Sequence, residues 1–491
     1  MKKPDRNIVI LTGIILITIA VGITAFLYVN GYVVKIDKLQ KGEIPTGQIV
    51  KGGSIRIESD PRGAEISLNS VDKGKTNKEF PNLEPGKIEV KLTDSGYHDW
   101  IKSVMVEEGF VTNLQAVLFV SLPRQELTLS DIEINGSYIP FSSNQLVIFQ
   151  KENNSTLWLA DFSKSIIKNS DTSKQLTDWK VNLDDFKIAI SSDNKKVLLS
   201  NTKNQEFYII NNDAPETNTK ELSKVEFKVD VTDIVWGDGS SALYLISKDL
   251  VFNYNVANKR YVLLHTKSED VPFNYFDKGF FTLESDTNGV QTIKVHSDDG
   301  TLSNSINISD YSNANLVFDG IYSDPTGKHI LLSKNKDLYY LNEDAKLLEK
   351  VSSKFSKIAT YSPDYKKLLY FEDEDLYTYT LDNKNIYGVE RKNVLSGITK
   401  TDSLPIWTKD SMHFTLMNNV TGEVKIMDFD GTNSILIIKT GKKDSNYIVT
   451  DDFRIVIPMN SQDIDKLLGT TTANNSIGLQ FVSIDLKKSA N

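Results

Sequence analysis

Cysteine is absent from the 491-residue chain. That excludes disulfides, thiolate metal sites, a cysteine nucleophile and a lipobox-type lipid anchor, and it leaves the redox compartment open. A surplus of basic residues is lacking too. The 56 Lys and Arg stand against 65 Asp and Glu, a net charge of −9, so the cationic footprint of sequence-independent nucleic-acid binding is missing and no nucleic-acid partner is expected. Histidine is scarce, and His265, His296, His329 and His413 fall in separate stretches without ligand spacing. No H-E-x-x-H, G-x-S-x-G, phosphate-binding loop or dinucleotide fingerprint occurs. No catalytic residue, metal ligand or cofactor is therefore expected, and no particular residue is singled out for binding. Aromatic residues are plentiful: 20 Tyr and 22 Phe against 6 Met favour strands, and 40% hydrophobic with 25% charged residues is globular composition.

Long apolar runs are absent but for one. Ile8 to Val29 carries no charge over 22 residues, enough at ~1.5 Å per residue to cross a ~30 Å hydrocarbon core. Lys2, Lys3 and Arg6 precede it, and Tyr28 and Tyr32 mark its far end, where aromatic rings favour the interface. A cleaved signal has a shorter apolar region ending in small residues; Ala20-Val21-Gly22 is a poor cleavage site and the run continues past it, so an uncleaved signal anchor is expected. Lys35, Lys38 and Lys41 follow the span and weaken the charge asymmetry. The short basic N-terminus argues for a cytoplasmic tail, with the bulk of a single-pass protein outside the cell membrane. Residues 1–30 are read as tail and anchor, and 31–52, without periodicity, as a linker.

From residue 53 the pattern alternates with period two, as in half-buried strands. Ser54 to Ser59, Ala64 to Asn69 and Lys87 to Leu92 are strands; Asp60-Pro61-Arg62-Gly63 and Leu83-Glu84-Pro85-Gly86 are turns. Ser59, Pro61, Gly63 and Ala64, then Gly74 and Thr76, then Leu83, Pro85, Gly86 and Val90, then Gly96, Tyr97 and Trp100 resemble the ordered turn motifs of the PEGA domain family; Asn77 replaces the family's proline. The resemblance implies a small β-sandwich over 53–122, of the kind found on bacterial and archaeal surface proteins, acting as a spacer or binding module. Tyr97 and Trp100 are expected to pack in its core and His98 to lie on a surface loop.

Residues 125–488 repeat a turn followed by an apolar strand. The turns fall near Phe141, Ile190, Trp236, Tyr275, Tyr322, Tyr361, Trp407 and Thr450, at the ~40–50-residue spacing of propeller blades. The best-kept copy is Thr360 to Phe371, with Lys366 and Lys367 expected exposed on the turn and Leu368 to Phe371 packed between sheets. The last unit stops after its second strand, and an extra strand, Glu126 to Leu129, precedes the first; the two together close the ring and protect its edges. Tyr361-Ser362-Pro363-Asp364 with Lys366 and Lys367, and Lys174-Gln175-Leu176-Thr177, resemble the TolB-type, WD-like propeller repeat. The count is eight blades, or seven if the Tyr275 unit is an insertion. Trp236 and Trp407 are expected as wedges between blades, Asp428 to Asn433 as a hairpin turn rather than a calcium loop, and Glu372 to Asp375 as a solvated turn.

The expected fold is thus an all-β ectodomain, a small sandwich plus a seven- or eight-bladed propeller, on one transmembrane helix. The expected role is a binding or scaffold protein of the cell envelope, its propeller face holding an envelope protein or a cell-wall glycan. The alternative is an envelope enzyme acting on glycans or peptides from the propeller channel.

Overall fold

The computed structural model describes residues 6–36, 47–128 and 134–489, apart from 142–145, 152–155, 163–172, 178–184, 212–221, 267–270, 312–315, 382–389, 397–403, 441–446, 469–478 and the single positions 176, 192, 194, 238, 249 and 419. Leu129, assigned above to the closing strand, lies outside them, as does most of the turn after Phe141. The chain falls into two compact units, the first holding the residues up to Pro123 with Lys487–Ser489, the second the bulk of Arg124–Leu486.

The first unit begins with one helix, Arg6–Val29. Its segment Ile10–Val29 is long and apolar enough to cross a membrane, and its large side chains, among them Leu16, Ile17 and Phe26, are exposed. Two of its threonines satisfy their hydroxyls within the helix: Thr18 and Thr24 donate to the carbonyls of Ile14 and Ala20, each at 2.9 Å. The helix stops at Gly31, whose φ of +83° suits a residue without Cβ. The stretch read as a linker is more ordered than expected: Tyr32–Ile36 pairs antiparallel with Gly47–Lys51. Each strand is only five residues long, too short for alternation to show.

Two small sheets follow. Gly53–Asp60 lies between Lys78–Leu83 and Val111–Val117, the latter parallel to it. The other sheet runs Val71–Lys75, Glu65–Leu68, Gly86–Thr93 and Trp100–Val106. Alternate residues face inward, so Ile55, Ile57, Ile66, Val90, Leu92, Trp100, Val104 and Leu114 are buried, the pattern of antiparallel sheets with one wet face. Motif residues distant in sequence meet here. Ser59 Oγ lies 2.6 Å from Thr76 Oγ1, which also accepts the Gly63 N–H at 2.9 Å. Tyr97 is half-buried and bridges to Val120. His98 is half-buried too, its N–H donating to the Phe119 carbonyl at 2.9 Å.

The second unit is a series of antiparallel sheets spanning 134–175, 187–224, 233–266, 273–307, 320–352, 355–395, 406–439 and 448–489, four strands to each but the last, which has three; the first and last join in one sheet through the Ile134–Leu479 pair. The Tyr275 unit is a complete sheet of four strands, so eight blades are seen among the described residues. The eighth is completed from the other end of the chain: Pro123–Thr128 pairs with Leu479–Ser489. Closure is reinforced by Arg454 of the last blade, whose Nη2 donates to the Phe162 carbonyl of the first at 2.9 Å, and by the edge-on Phe162 and Phe481 rings 5.2 Å apart. Each blade has one strand ahead of the turn that sequence reading did not assign. Its length runs from two residues in Ile406–Trp407 and Ile448–Val449 to seven in Phe355–Tyr361 and eight in Ile134–Phe141. A helix, Ser461–Leu468, is inserted in the eighth blade, where the Asn460 side chain accepts the Asp463 N–H at 2.8 Å.

The second strands are apolar throughout because both of their faces are buried. In the fifth blade Ile330 and Leu332 pack with Phe281 and Leu283 of the fourth, while Leu331 packs with Leu368 and Tyr370 of the sixth. Leu198 and Leu199 divide in the same way between the third blade and the first. The turns before these strands share one construction. Ser191, Ser362, Thr408 and Thr450 donate their hydroxyls to Asp193, Asp364, Asp410 and Asp452 at 2.5–2.7 Å. A basic residue then opens or immediately precedes the strand: Lys196, His329, Lys367, His413 or Arg454. Lys367, expected on the surface, is 1% exposed, with its ammonium 3.4 Å from Asp364 and over the Phe429 ring. Burial lowers its pKa, with Asp364 acting against that. Lys366 is exposed, as expected.

Candidate functional site

The histidines do not converge. His296 stacks on Phe280 at 4.6 Å in the fourth blade. His329, in the fifth, meets the Tyr340 hydroxyl through Nδ1 at 3.0 Å. His265 belongs to the fourth strand of the third blade. His413, in the seventh, is held between two carboxylates, Nδ1 at 2.6 Å from Asp410 and Nε2 at 3.3 Å from Asp428. Burial opposes its charge, but the hydrogen bonds and charges of the two carboxylates prevail and raise its pKa to about 9. Among the described residues no cluster of His, Asp and Glu could hold a metal ion.

The stretch Asp428 to Asn433 joins the third and fourth strands of the seventh blade. Its buried carboxylates are engaged from within: Thr432 donates to Asp430 at 2.6 Å and Asn433 to Asp428 at 2.9 Å. At Gly431, φ is +77° and an added Cβ falls 2.6 Å from the Val394 carbonyl. Gly431→Ala is therefore expected to destabilise the chain by about 1–3 kcal/mol in urea melts, with the secondary structure intact.

The acidic run is only partly solvated. Asp373 and Glu374 are exposed, but Glu372 is buried against Arg391 at 2.6 Å and Ser352 at 2.6 Å. Trp236 is the expected wedge, its indole N–H reaching the Ala189 carbonyl of the preceding blade at 3.2 Å. Trp407 packs edge-on against Phe414 of its own sheet.

The concave feature with the most chemistry lies between the second and third blades. It is a groove of about 470 Å³, within the usual range of small-ligand sites. Its walls include Lys196, Lys224, Lys228 and Lys259, with Glu226 as the one acidic residue among the described lining. This basic lining is unusual for a chain of net charge −9. The floor is apolar: Ile209, Val225 and Tyr254 are buried. Tyr254 and Tyr261 lie 5.0 Å apart, and Phe227 closes the cluster 5.1 Å from Tyr254. Burial, with a smaller contribution from Tyr261, raises the Tyr254 pKa, so its phenol stays neutral.

Local structure sets the lysines in place. The Asn255 side chain accepts the N–H groups of Ala257 and Asn258 at 3.1 and 3.0 Å, a self-capped turn that tolerates φ of +57° at Lys259. The Lys228 N–H donates to the Tyr261 hydroxyl at 3.2 Å. Lys196 reaches across to the Ser240 carbonyl of the third blade at 3.0 Å. Lys224, Lys228 and Lys259 are exposed at the rim. Such a site can hold an anionic group by charge and a ring by stacking on tyrosine. Sequence reading missed it because its lysines are spread over residues 196–259 and converge only through the pairing of two blades.

Comparison with known proteins bears on the modules. Residues 52–120 match the PEGA domain. No curated protein sequence matches the chain. Among solved structures, oligogalacturonate lyase from Vibrio parahaemolyticus shares 10% identity at a TM-score of 0.37, over 71% of this chain and 98% of its own. The β-propeller domain of Cps50 (Swd1) from Myceliophteria thermophila shares 9% at 0.35, over 62% and 99%. A eukaryotic initiation factor shares 10% at 0.40, over 82% and 98%. At these scores the blade topology itself carries the fold. The chain therefore combines an N-terminal apolar helix, a PEGA domain and a β-propeller with eight blades among the described residues.

Proposed function

We propose that the chain is a single-pass binding protein of the cell envelope, and that the groove between its second and third blades holds an anionic group of a wall glycan. The observation behind this is the groove itself, four lysines around a floor that includes Tyr254 and Tyr261. The apolar helix serves as an uncleaved anchor with the propeller outside the membrane. Among the described residues one carboxylate, Glu226, lines the groove, whereas glycoside hydrolysis uses a pair, so the groove is read as a place to bind.

Polygalacturonate and inorganic polyphosphate, titrated against the protein by calorimetry, test the carboxylate and phosphate forms of the ligand. Binding is expected to weaken as salt rises over the range where the Debye length falls below ~10 Å. The triple variant Lys224→Glu, Lys228→Glu, Lys259→Glu is expected to bind at least about tenfold more weakly, as a like-charge juxtaposition demands, without a change in melting temperature. Unaltered affinity in that variant, or no binding to either polymer, sinks the proposal.

A further inference from the structure

We propose that the PEGA domain rests on the lipid interface through its turn Glu107 to Phe110, with Phe110 inserted at headgroup level beside the membrane helix. The proposal rests on the reading of that helix as an uncleaved anchor.

The turn is tied to the end of the helix by short contacts. The Asn82 side chain donates to the Tyr28 carbonyl at 3.0 Å. The Gly52 N–H donates to the Gly31 carbonyl at 2.6 Å, and the Gly109 N–H to the Gly52 carbonyl at 3.0 Å. Phe110 is the next residue. Two hydrogen bonds and a few backbone atoms thus separate it from the point where the helix ends. If the helix spans the bilayer, Tyr28 lies at the interface, and the turn lies at the same level.

The exposed side chains at this end suit that position. Phe110 is 67% exposed although it is the bulkiest residue of the turn. Val111 and Met105 beside it are exposed as well, on neighbouring strands linked by the Thr112 hydroxyl to the Met105 carbonyl at 3.2 Å. An aromatic ring offered to water at a loop tip is out of place there and at home among headgroups. Charge does not explain the arrangement: Glu107 and Glu108 share the turn, and the Lys51 side chain lies against Gly109. Contact by insertion follows, and zwitterionic lipid suffices for it.

The absence of cysteine makes the test direct. Phe110→Cys and Ser95→Cys are introduced singly into the full chain and labelled with a nitroxide. Ser95 is an exposed residue beyond the far end of the strand Gly86–Thr93, ~25 Å along at ~3.3 Å per residue. Each protein is reconstituted in phosphatidylcholine vesicles, with and without phosphatidylglycerol, and checked for intact mass. At position 110, relaxation by oxygen is expected to exceed relaxation by a water-soluble nickel chelate, with the reverse at 95 and no dependence on the anionic lipid. Val111→Cys is expected to follow 110, which guards against an artefact of losing the ring. An intact chain whose 110 and 111 labels behave as the one at 95 overturns the docking and leaves the anchor reading standing. A chain recovered without its helix overturns both.

Discussion

Deletion of residues 124–128 from the full chain is expected to leave a propeller that no longer closes. The strand Pro123–Thr128 is the outer member of the eighth blade and pairs with Leu479–Ser489. Without it the last blade presents an unpaired edge, a template for association with other chains. The first and last blades are then held by the short Ile134–Leu479 strand pairing and by contacts such as Arg454 with the Phe162 carbonyl. The expected outcome is oligomerisation on size exclusion and a fall in melting temperature of roughly 3–6 °C, the shift that a loss of a few kcal/mol produces in a domain of this size. A monomeric product that melts with the parent rejects the role given to the strand.

His413→Ala is expected to cost about 3–5 kcal/mol, the usual consequence of removing one partner from a buried ionic cluster. Asp410 and Asp428 then face each other across an emptied site without the imidazolium between them. The pH dependence separates this from simple loss of packing. The folded-state pKa of His413 is about 9 against an ordinary 6.5. A raised pKa in the folded state means that the stabilisation is complete below the ordinary value and is lost as pH rises through the folded one. The parent protein is therefore expected to lose melting temperature between about pH 6.5 and 9, and His413→Gln to lack that decline. The triple variant His413→Leu, Asp410→Asn, Asp428→Asn is expected to recover part of the stability, because no buried charge is then left alone. A His413→Gln profile parallel to that of the parent sinks the assignment.

These two sites differ in how much of them the sequence carries. Closure by an N-terminal strand was legible, because Glu126 to Leu129 stood ahead of the first unit and the last unit ended early. The apolar strands after each turn were legible for a physical reason: burial on two faces forces runs such as Leu368 to Phe371. The shortest strands before the turns were not, since two residues such as Ile448 and Val449 cannot display a period. Nor could composition show that Lys367 and His413 are buried, because a lysine or histidine beside a turn usually faces water. Their burial depends on Asp364 and Asp410 being swung beneath them by the hydroxyls of Ser362 and Thr408. The PEGA motifs were readable because they are turns, where Gly and Pro act locally, and the Ser59 and Thr76 contact shows why they come as a set. The groove was beyond reach for the opposite reason. Lys196 and Lys259 become neighbours only when one blade stacks on the next.

The same strand that closes the propeller is also its covalent link to the PEGA domain, and this gives the chain a mechanical polarity. Any pull on the chain ahead of Pro123 enters the propeller through a strand with a single bonded neighbour, Leu479–Ser489. The blades between the groove and the far end of the ring are each gripped on both sides and resist peeling. The closing strand is gripped on one. Under load it is expected to be the first part to yield, so the element that completes the fold would also set the force at which the propeller opens, a value that pulling from the N-terminal side would read.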